Sequence, residues 1–439
     1  MRKIKYLLLL LIIAALCVIS CRPDNTVQND MSIASQGECG LGILNAELKI
    51  SSEEACELSV CFGDGDGNVL EAYTPIKTAS FSSASEQSIE LKDVKIPPEA
   101  STLVLVKNGS KIELKDGKNV KIPEECTSFG SAELVFGALS DVHFNKYDAL
   151  GTGDDAVYAL DLALDFLESK GVDLVAIAGD ISKNGEEEAF IKYAEMIQGR
   201  DFEVLACVGN HDVGAVTNGF WTQYVTSEIL KHEGVLDVSE NGLDFTYSES
   251  DGEVFIFLNQ SYWDYCREES RLLKDGQLLW LEQMAKKYEN ATLYLFFHTF
   301  LNAPDGNTAT AVGNLRNPGG YEYDLPYTYG TQDEVEFRRI LRENKNIIFF
   351  SGHSHWMFEM EIYNESLNVS SYNGEYGYMV HVPSVTEPRY IGENDENRTG
   401  LNGQSSQGYL IYVYDSCTVL LPYDFISGTC YTEYIEILK

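Results

Sequence analysis

The stretch FFSGHSHW, residues 349–356, places His353 and His355 one residue apart, directly after the apolar run Ile347 to Phe350. Two imidazoles suit a borderline cation such as Zn, Fe or Mn. Alternation along an extended segment would put both on one side. A metal needs further ligands, and candidates recur at the ends of other apolar runs. The first run ends in Asp141-Val142-His143, the second in Gly179-Asp180 and the third in Gly209-Asn210-His211-Asp212; YLFFH (294–298) ends in His298. Five of the seven histidines stand at such ends. One histidine there is ordinarily a packing residue. Five, joined by two aspartates and an asparagine, point to a metal centre, because open α/β sheets gather ligands at the carboxyl ends of their strands.

Those side chains can converge only if the runs are neighbouring strands. AELVFGALSD (132–141), DLVAIAGD (173–180), FEVLACVGNHD (202–212), EVFIFLN (253–259), ATLYLFFH (291–298) and NIIFFSGH (346–353) read as buried strands. Between them Val157, Leu160, Leu164 and Leu167 share one helical face, and Leu278, Leu281 and Met284 another. Beyond residue 376 come more strands: YGYMVHVP, GYLIYVYD, TVLLPYDF and YIEIL. Residues 131–439 therefore read as an α/β layered domain with a C-terminal β extension. Ahead of it, residues 41–128 alternate in short segments (LNAELKI, ELSVCF, QSIELKDVKI, TLVLVKNG, IELKDGKNVKIP) between turn signals, the pattern of a small β-sandwich. GDGDGN (63–68) has the look of a calcium loop. Counted from Asp64, however, the sixth position is Val69 and the twelfth Pro75, so it reads as a hairpin turn.

The ordered series from Asp141 to His355 resembles the motifs of the calcineurin-like metallophosphoesterases, and DGQLLWLEQ (275–283) resembles a helix of that family. The resemblance implies a four-layer α/β/β/α sandwich holding two divalent cations (Mn, Fe or Zn) between two sheets. Asp141, His143 and His355 would bind the first, Asn210, His298 and His353 the second, and Asp180 would bridge them. An anionic bridge offsets the repulsion of two cations roughly 3.5–4 Å apart. The resemblance further implies hydrolysis of a phosphate ester by a metal-bridging hydroxide, with His211 protonating the leaving group and Asp212 orienting His211. Gly-Asn-His-Asp is similar to the branch that includes cyclic-nucleotide and other phosphodiesterases, so a diester is expected. The alternatives are a phosphomonoesterase with the same site, or a glycan- or protein-binding surface lipoprotein with the α/β domain as scaffold. The irregular loop at 301–330 would shape a small substrate's pocket, with Arg316 meeting phosphate and Tyr321 and Tyr323 offering aromatic contact. Trp356 would add a further contact. His232, in an expected helix, and His381 read as structural, with a supporting place beside the centre open to His381.

At the amino end Arg2, Lys3 and Lys5 precede the apolar run Leu7 to Ile19, the layout of a signal peptide over residues 1–20. Val18-Ile19-Ser20-Cys21 resembles the bacterial lipobox, which makes Cys21 the lipidated first residue of an exported, membrane-anchored lipoprotein. Residues 21–40 read as a tether. Arg22 rather than Asp after that cysteine favours the outer membrane. The formal charge of −36 and the lack of a basic patch argue against a nucleic-acid groove. Outside the cytosol some cysteines can pair, the nearest in sequence being Cys417 with Cys430 and Cys56 with Cys61.

Overall fold

The structure, a computed structural model, describes residues 29–37, 42–115, 117–127, 129, 131–149, 154–249, 252–262, 272–274, 276–301, 332–358, 369–371, 374–390, 399–400, 404–431 and 434–439. The chain divides into two units between Phe129 and Gly130.

The first unit is all β. One antiparallel sheet has the order Asp30–Gln36, Ile43–Ser52, Ser85–Lys95. The other runs Lys77–Phe81, Cys56–Gly63, Thr102–Lys107, Ser110–Lys111, with Val120–Lys121 also on Thr102–Lys107. Alternate residues of both sheets (Leu44, Leu48 and Ile50 from one; Leu58, Val60 and Leu103 from the other) enclose a common core. The segment Asp30–Gln36 was expected in the tether but is a strand, because Met31 buries its side chain in that core. GDGDGN is a turn: Asp64 Oδ1 accepts from the backbone N–H of Asp66 at 2.9 Å and of Asn68 at 2.8 Å.

Neither expected cysteine pair forms. Cys56, Cys61, Cys417 and Cys430 carry thiols, whereas Cys126 is in a disulfide. Cys56 and Cys61 lie five residues apart on one strand, about 16 Å at the strand rise. Cys417 opens its strand while Cys430 pairs with Tyr423 near the far end. A bridge needs Cα atoms within about 7 Å.

The second unit packs two seven-stranded sheets face to face. The first runs Glu203–Ala206, Leu174–Ile177, Leu134–Leu139, Gln407–Val413, Cys417–Asp424, Thr429–Cys430, with Ile435–Leu438 on Cys417–Asp424. The second runs Val235–Val238, Phe245–Tyr247, Glu253–Phe257, Thr292–Phe296, Ile347–Ser351, Tyr378–His381, Val369–Ser370. The C-terminal strands are therefore no appendage. Gln407–Val413 pairs antiparallel with Leu134–Leu139 in mid-sheet, and Tyr378–His381 extends the parallel set of the other sheet.

Residue alternation builds the layers. Phe136 faces the opposite sheet and meets Phe255 and Tyr294 edge-on at 5.0 and 5.2 Å between ring centres. Phe257, Phe296 and Phe350 stack across adjacent strands at 5.2 and 4.8 Å. Pairs of this kind contribute about 0.5–1.5 kcal/mol each beyond their buried area. The next residue along, Gly137, faces outward and lets Leu167 of helix Asp154–Ser169 pack on the strand. Helices Gln277–Lys287 and Gln332–Glu343 cover the other outer face, through Leu281, Met284, Phe337 and Ile340 against Ile256, Leu295 and Phe349. The result is the expected α/β/β/α order.

Register brings the carboxyl ends of the parallel strands to common edges. Leu139, Ile177 and Ala206 align in one sheet, and Phe257, Phe296 and Phe350 in the other.

Candidate metal centre

Two ligand sets meet at those edges. Asp141, His143 and His355 form one and Asp180, His298 and His353 the other, with the ligand atoms of each set within 4.8 Å of one another. His143, Asp180 and His211 form a third group of the same size. All three sets are buried apart from His211. Asp180 Oδ2 lies 3.3 Å from His143 Nε2 and 3.1 Å from His298 Nε2, so one carboxylate touches both sides. Asp141 Oδ1 is 3.1 Å from His355 Nε2. Asn210 Oδ1 is 2.9 Å from His298 Nε2 and 3.0 Å from His353 Nδ1, which joins it to the second set.

The backbone is held in unusual conformations to achieve this. Seven non-glycine residues among those described have positive φ, and five of them are Asp141 (54°), His143 (54°), Asp180 (56°), His353 (72°) and His355 (61°). The left-handed region costs an L-residue about 1–2 kcal/mol, and such strain persists where the surroundings over-determine it. Here they do. Asp141 N–H donates to Gly179 O at 3.1 Å and His143 N–H to Asp180 O at 2.9 Å. His353 N–H donates to Asp141 Oδ2 at 3.0 Å and Arg389 N–H to His355 O at 2.7 Å. His353 and His355 therefore lie past the end of their strand at Ser351, and the expected alternation along an extended segment does not apply. Each histidine nevertheless serves a different set.

Two motif glycines are required by close approach. A Cβ on Gly209 would stand 2.1 Å from Asp180 Oδ1, and one on Gly352 1.8 Å from Ser140 Oγ and 2.5 Å from Asp141 Oδ2.

Electrostatics and unmet bonding capacity fit cations. Asp141 Oδ1 and both ring nitrogens of His143 are buried without a hydrogen-bond partner among the described residues, a costly state that coordination relieves. Burial works against ionised Asp141 and Asp180, yet neighbouring imidazoles hold both well below the usual carboxylate range. Burial likewise opposes protonation of His143 and His298, but Asp141 and Asp180 outweigh it for His143 and Asp180 and Asp141 for His298. They hold the two rings at about 9 and about 10. The site is thus built around positive charge. His298 Nδ1 donates to Ala178 O at 2.7 Å, which fixes the tautomer and leaves Nε2 for a cation. The nitrogen and oxygen donors suit Mn, Fe or Zn.

The calcineurin-like phosphoesterase family profile matches residues 134–357, the span that carries all of these ligands. The chain belongs to the calcineurin-like phosphoesterase family. A curated relative from Fibrobacter succinogenes, a probable cyclic nucleotide phosphodiesterase, is 26% identical over 249 residues, covering 54% of this chain and 78% of that one. A predicted phosphoesterase of Streptococcus pneumoniae aligns structurally at 11% identity and TM-score 0.30 over 70% of this chain and 98% of that one. The Plasmodium protein GAP50, the anchor in the inner membrane complex, aligns at 11% identity and TM-score 0.41 over 70% and 89%. As a calcineurin-like phosphoesterase, a family that depends on two metals, the chain is a metal-dependent hydrolase of phosphate esters.

Other site residues of this calcineurin-like phosphoesterase differ from expectation. Asp212 does not orient His211. Its carboxylate accepts from the N–H groups of Ile181, Ser182 and Gly209 at 3.1, 2.9 and 3.1 Å and from Ser182 Oγ at 3.0 Å. It therefore ties the Asp180 loop to its own, and burial with Asp180 nearby raises its carboxyl to about 7. His211 is oriented by Lys183 O, 2.6 Å from Nδ1. Trp356 is only 2% exposed, because it packs in the interior, and is not offered to substrate. His232 lies in a turn rather than a helix, 2.6 Å from Glu203 Oε2. His381 is fully buried, and its Nε2 lies 2.8 Å from Trp356 O, so it braces the loop that carries His353 and His355. Arg316, Tyr321, Tyr323 and Cys21 lie outside the described residues.

Sequence reasoning missed Ser384 and Thr386. Ser384 Oγ donates to Asp141 O at 2.8 Å and Thr386 Oγ1 to Val142 O at 2.7 Å, so they hold the first motif in place. They follow Tyr378–His381, a further parallel strand, and the strand-end rule that found the histidines would have found them there.

Proposed function

We propose that this chain is an exported phosphodiesterase that binds two divalent cations at Asp141, His143, Asp180, Asn210, His298, His353 and His355. The observation that carries the reading is Asp180, whose carboxylate stands between His143 and His298 of the two ligand sets. Bound there, two cations would acidify water and neutralise charge on the phosphoryl oxygens. The chain's own groups do the rest. Asp141 and Asp180 supply anionic charge, and buried imidazoles exclude solvent around it. His211, whose ring centre is 4.8 Å from that of His143, keeps Nδ1–H on Lys183 O; as the imidazolium it carries a second proton at Nε2, which the leaving alkoxide takes, and burial lowers its pKa and so favours giving that proton up. The diester preference is supported by the Fibrobacter relative's description and by the Gly209-Asn210-His211-Asp212 motif.

The test compares bis-p-nitrophenyl phosphate with p-nitrophenyl phosphate on the chain loaded with Mn²⁺. Faster diester turnover is expected, and on a diphenyl phosphate ester, whose phenolate needs a proton to leave, His211→Asn should lower turnover about 10²–10⁴-fold. Faster monoester turnover would replace the diester reading with a phosphomonoesterase at the same site.

Export and anchoring rest on Arg2, Lys3, Lys5, the apolar run to Ile19 and Cys21, and the disulfide at Cys126 suits an oxidising compartment. The outer membrane is the proposed address. Replacing Cys21 with Ser should move the chain from the membrane to the soluble fraction; retention in the membrane would contradict the anchor.

A further inference from the structure

The geometry points to the Lys183–Glu387 ion pair as a latch that positions two imidazoles of the centre together, His211 and His355. The inference rests on the reading of His211 as the leaving-group acid. Lys183 stands three residues past Asp180, in the loop after strand Leu174–Ile177 of the first sheet. Glu387 stands in the loop after strand Tyr378–His381 of the second. Lys183 O accepts from His211 Nδ1 at 2.6 Å, and Glu387 O accepts from His355 Nδ1 at 3.2 Å. The two side chains close the arrangement, Lys183 Nζ donating to Glu387 Oε1 across 204 residues of sequence.

Each backbone carbonyl holds the Nδ1–H of its ring and so assigns Nε2 to the chemistry, as a free donor atom in His355 and as the second protonated nitrogen of the imidazolium in His211. For His355 that atom is 3.1 Å from Asp141 Oδ1. The His143 ring is close to both, with ring centres 4.8 Å from His211 and 4.6 Å from His355. Both loops are anchored at their inner ends. Lys183 N–H donates to Phe144 O at 2.7 Å, and Glu387 N–H to Ser384 Oγ at 2.8 Å, the same hydroxyl that holds Asp141 O. Their outer ends meet in the ion pair. Arg389 Nη2, 3.9 Å from Glu387 Oε2, is a second cation facing this carboxylate, and the imidazoles of His143 and His355 also act on it. Glu387 is only 16% exposed against 43% for Lys183, so the carboxylate end is shielded from the screening that weakens surface pairs. Breaking the pair releases the carbonyl of Lys183 and with it the aim of His211. A displacement of about 1 Å can cost roughly 10²-fold in rate.

The experiment uses Lys183→Met, Glu387→Gln and the charge swap Lys183→Glu with Glu387→Lys. Each is assayed on bis-aryl phosphates whose leaving phenols range from p-nitrophenol to phenol. p-Nitrophenolate departs without a proton and phenolate needs one, so a misplaced His211 steepens the dependence of rate on leaving-group pKa. For Lys183→Met, which leaves Glu387 anchored on Ser384 and its carbonyl on His355, we expect metal content close to wild type, an unchanged KM and a kcat lower by roughly 10- to 100-fold on the phenyl ester. The loss should be smaller on the nitrophenyl ester, and the swap should recover part of it. A leaving-group dependence equal to wild type overturns the latch. So does a raised KM with unchanged kcat, which would make Lys183 a substrate-binding cation. His211→Asn is run beside them. If it steepens the dependence while Lys183→Met does not, the latch alone fails; if His211→Asn leaves it unchanged, the acid role fails and the latch with it.

Discussion

Replacing Asp180 with Asn should lower kcat/KM by at least about 10²–10³-fold, the scale attached to losing one preorganised electrostatic contact in a transition state. The substitution is nearly isosteric. The introduced carboxamide oxygen can still accept from His211 N–H, as Asp180 Oδ1 does at 2.9 Å, and the carboxamide fits over Gly209 as the carboxylate does. What disappears is the negative charge beside His143 Nε2 and His298 Nε2. Metal content should fall below two ions per chain, while far-ultraviolet circular dichroism stays as in wild type. Retained activity would remove Asp180 from the centre.

Chelation is expected to be more consequential still. It should abolish turnover and lower stability, by roughly 5 kcal/mol for two sites each held at 100-fold excess of cation over its dissociation constant. The penalty should depend on pH. In the metal-free chain His143 and His298 are protonated partners of Asp141 and Asp180, with pKa values raised to about 9 and about 10 from an ordinary 6.5. A raised folded-state value contributes stability that is complete below about 6.5 and is lost as pH rises through the folded values. Protons therefore stand in for cations at neutral pH and cease to do so in base. The gap in melting temperature between metal-loaded and chelated protein should widen from pH 7 to pH 10. A gap that is constant or narrows would contradict the pairing.

The ligands were legible because their types are scarce and their positions repeat. Asp141, Asp180, Asn210 and five of the seven histidines each follow a short apolar run that reads as a buried strand. What joins them was less legible. Left-handed backbone at His143, His353 and His355 is held by hydrogen bonds to distant segments, and histidine's modest preference for that region is too weak to announce it. Asp212 follows His211 directly, which suggested a dyad, but the short helix at 210–212 turns its carboxylate toward the N–H groups of residues 181 and 182. Trp356 looked available because it adjoins a ligand, whereas it is buried along with the whole segment from His353 to Met357. Asp30–Gln36 looked like linker because its alternation is short and polar on one side, which is what an edge strand shows. In each case the missing information was a contact made at long sequence separation.

The most direct measurement is anomalous diffraction from crystals of the chain loaded with Mn²⁺. Two peaks are predicted, one among Asp141, His143 and His355 and one among Asn210, His298 and His353, with Asp180 in contact with both. A single peak, or two peaks that Asp180 does not join, would contradict the account.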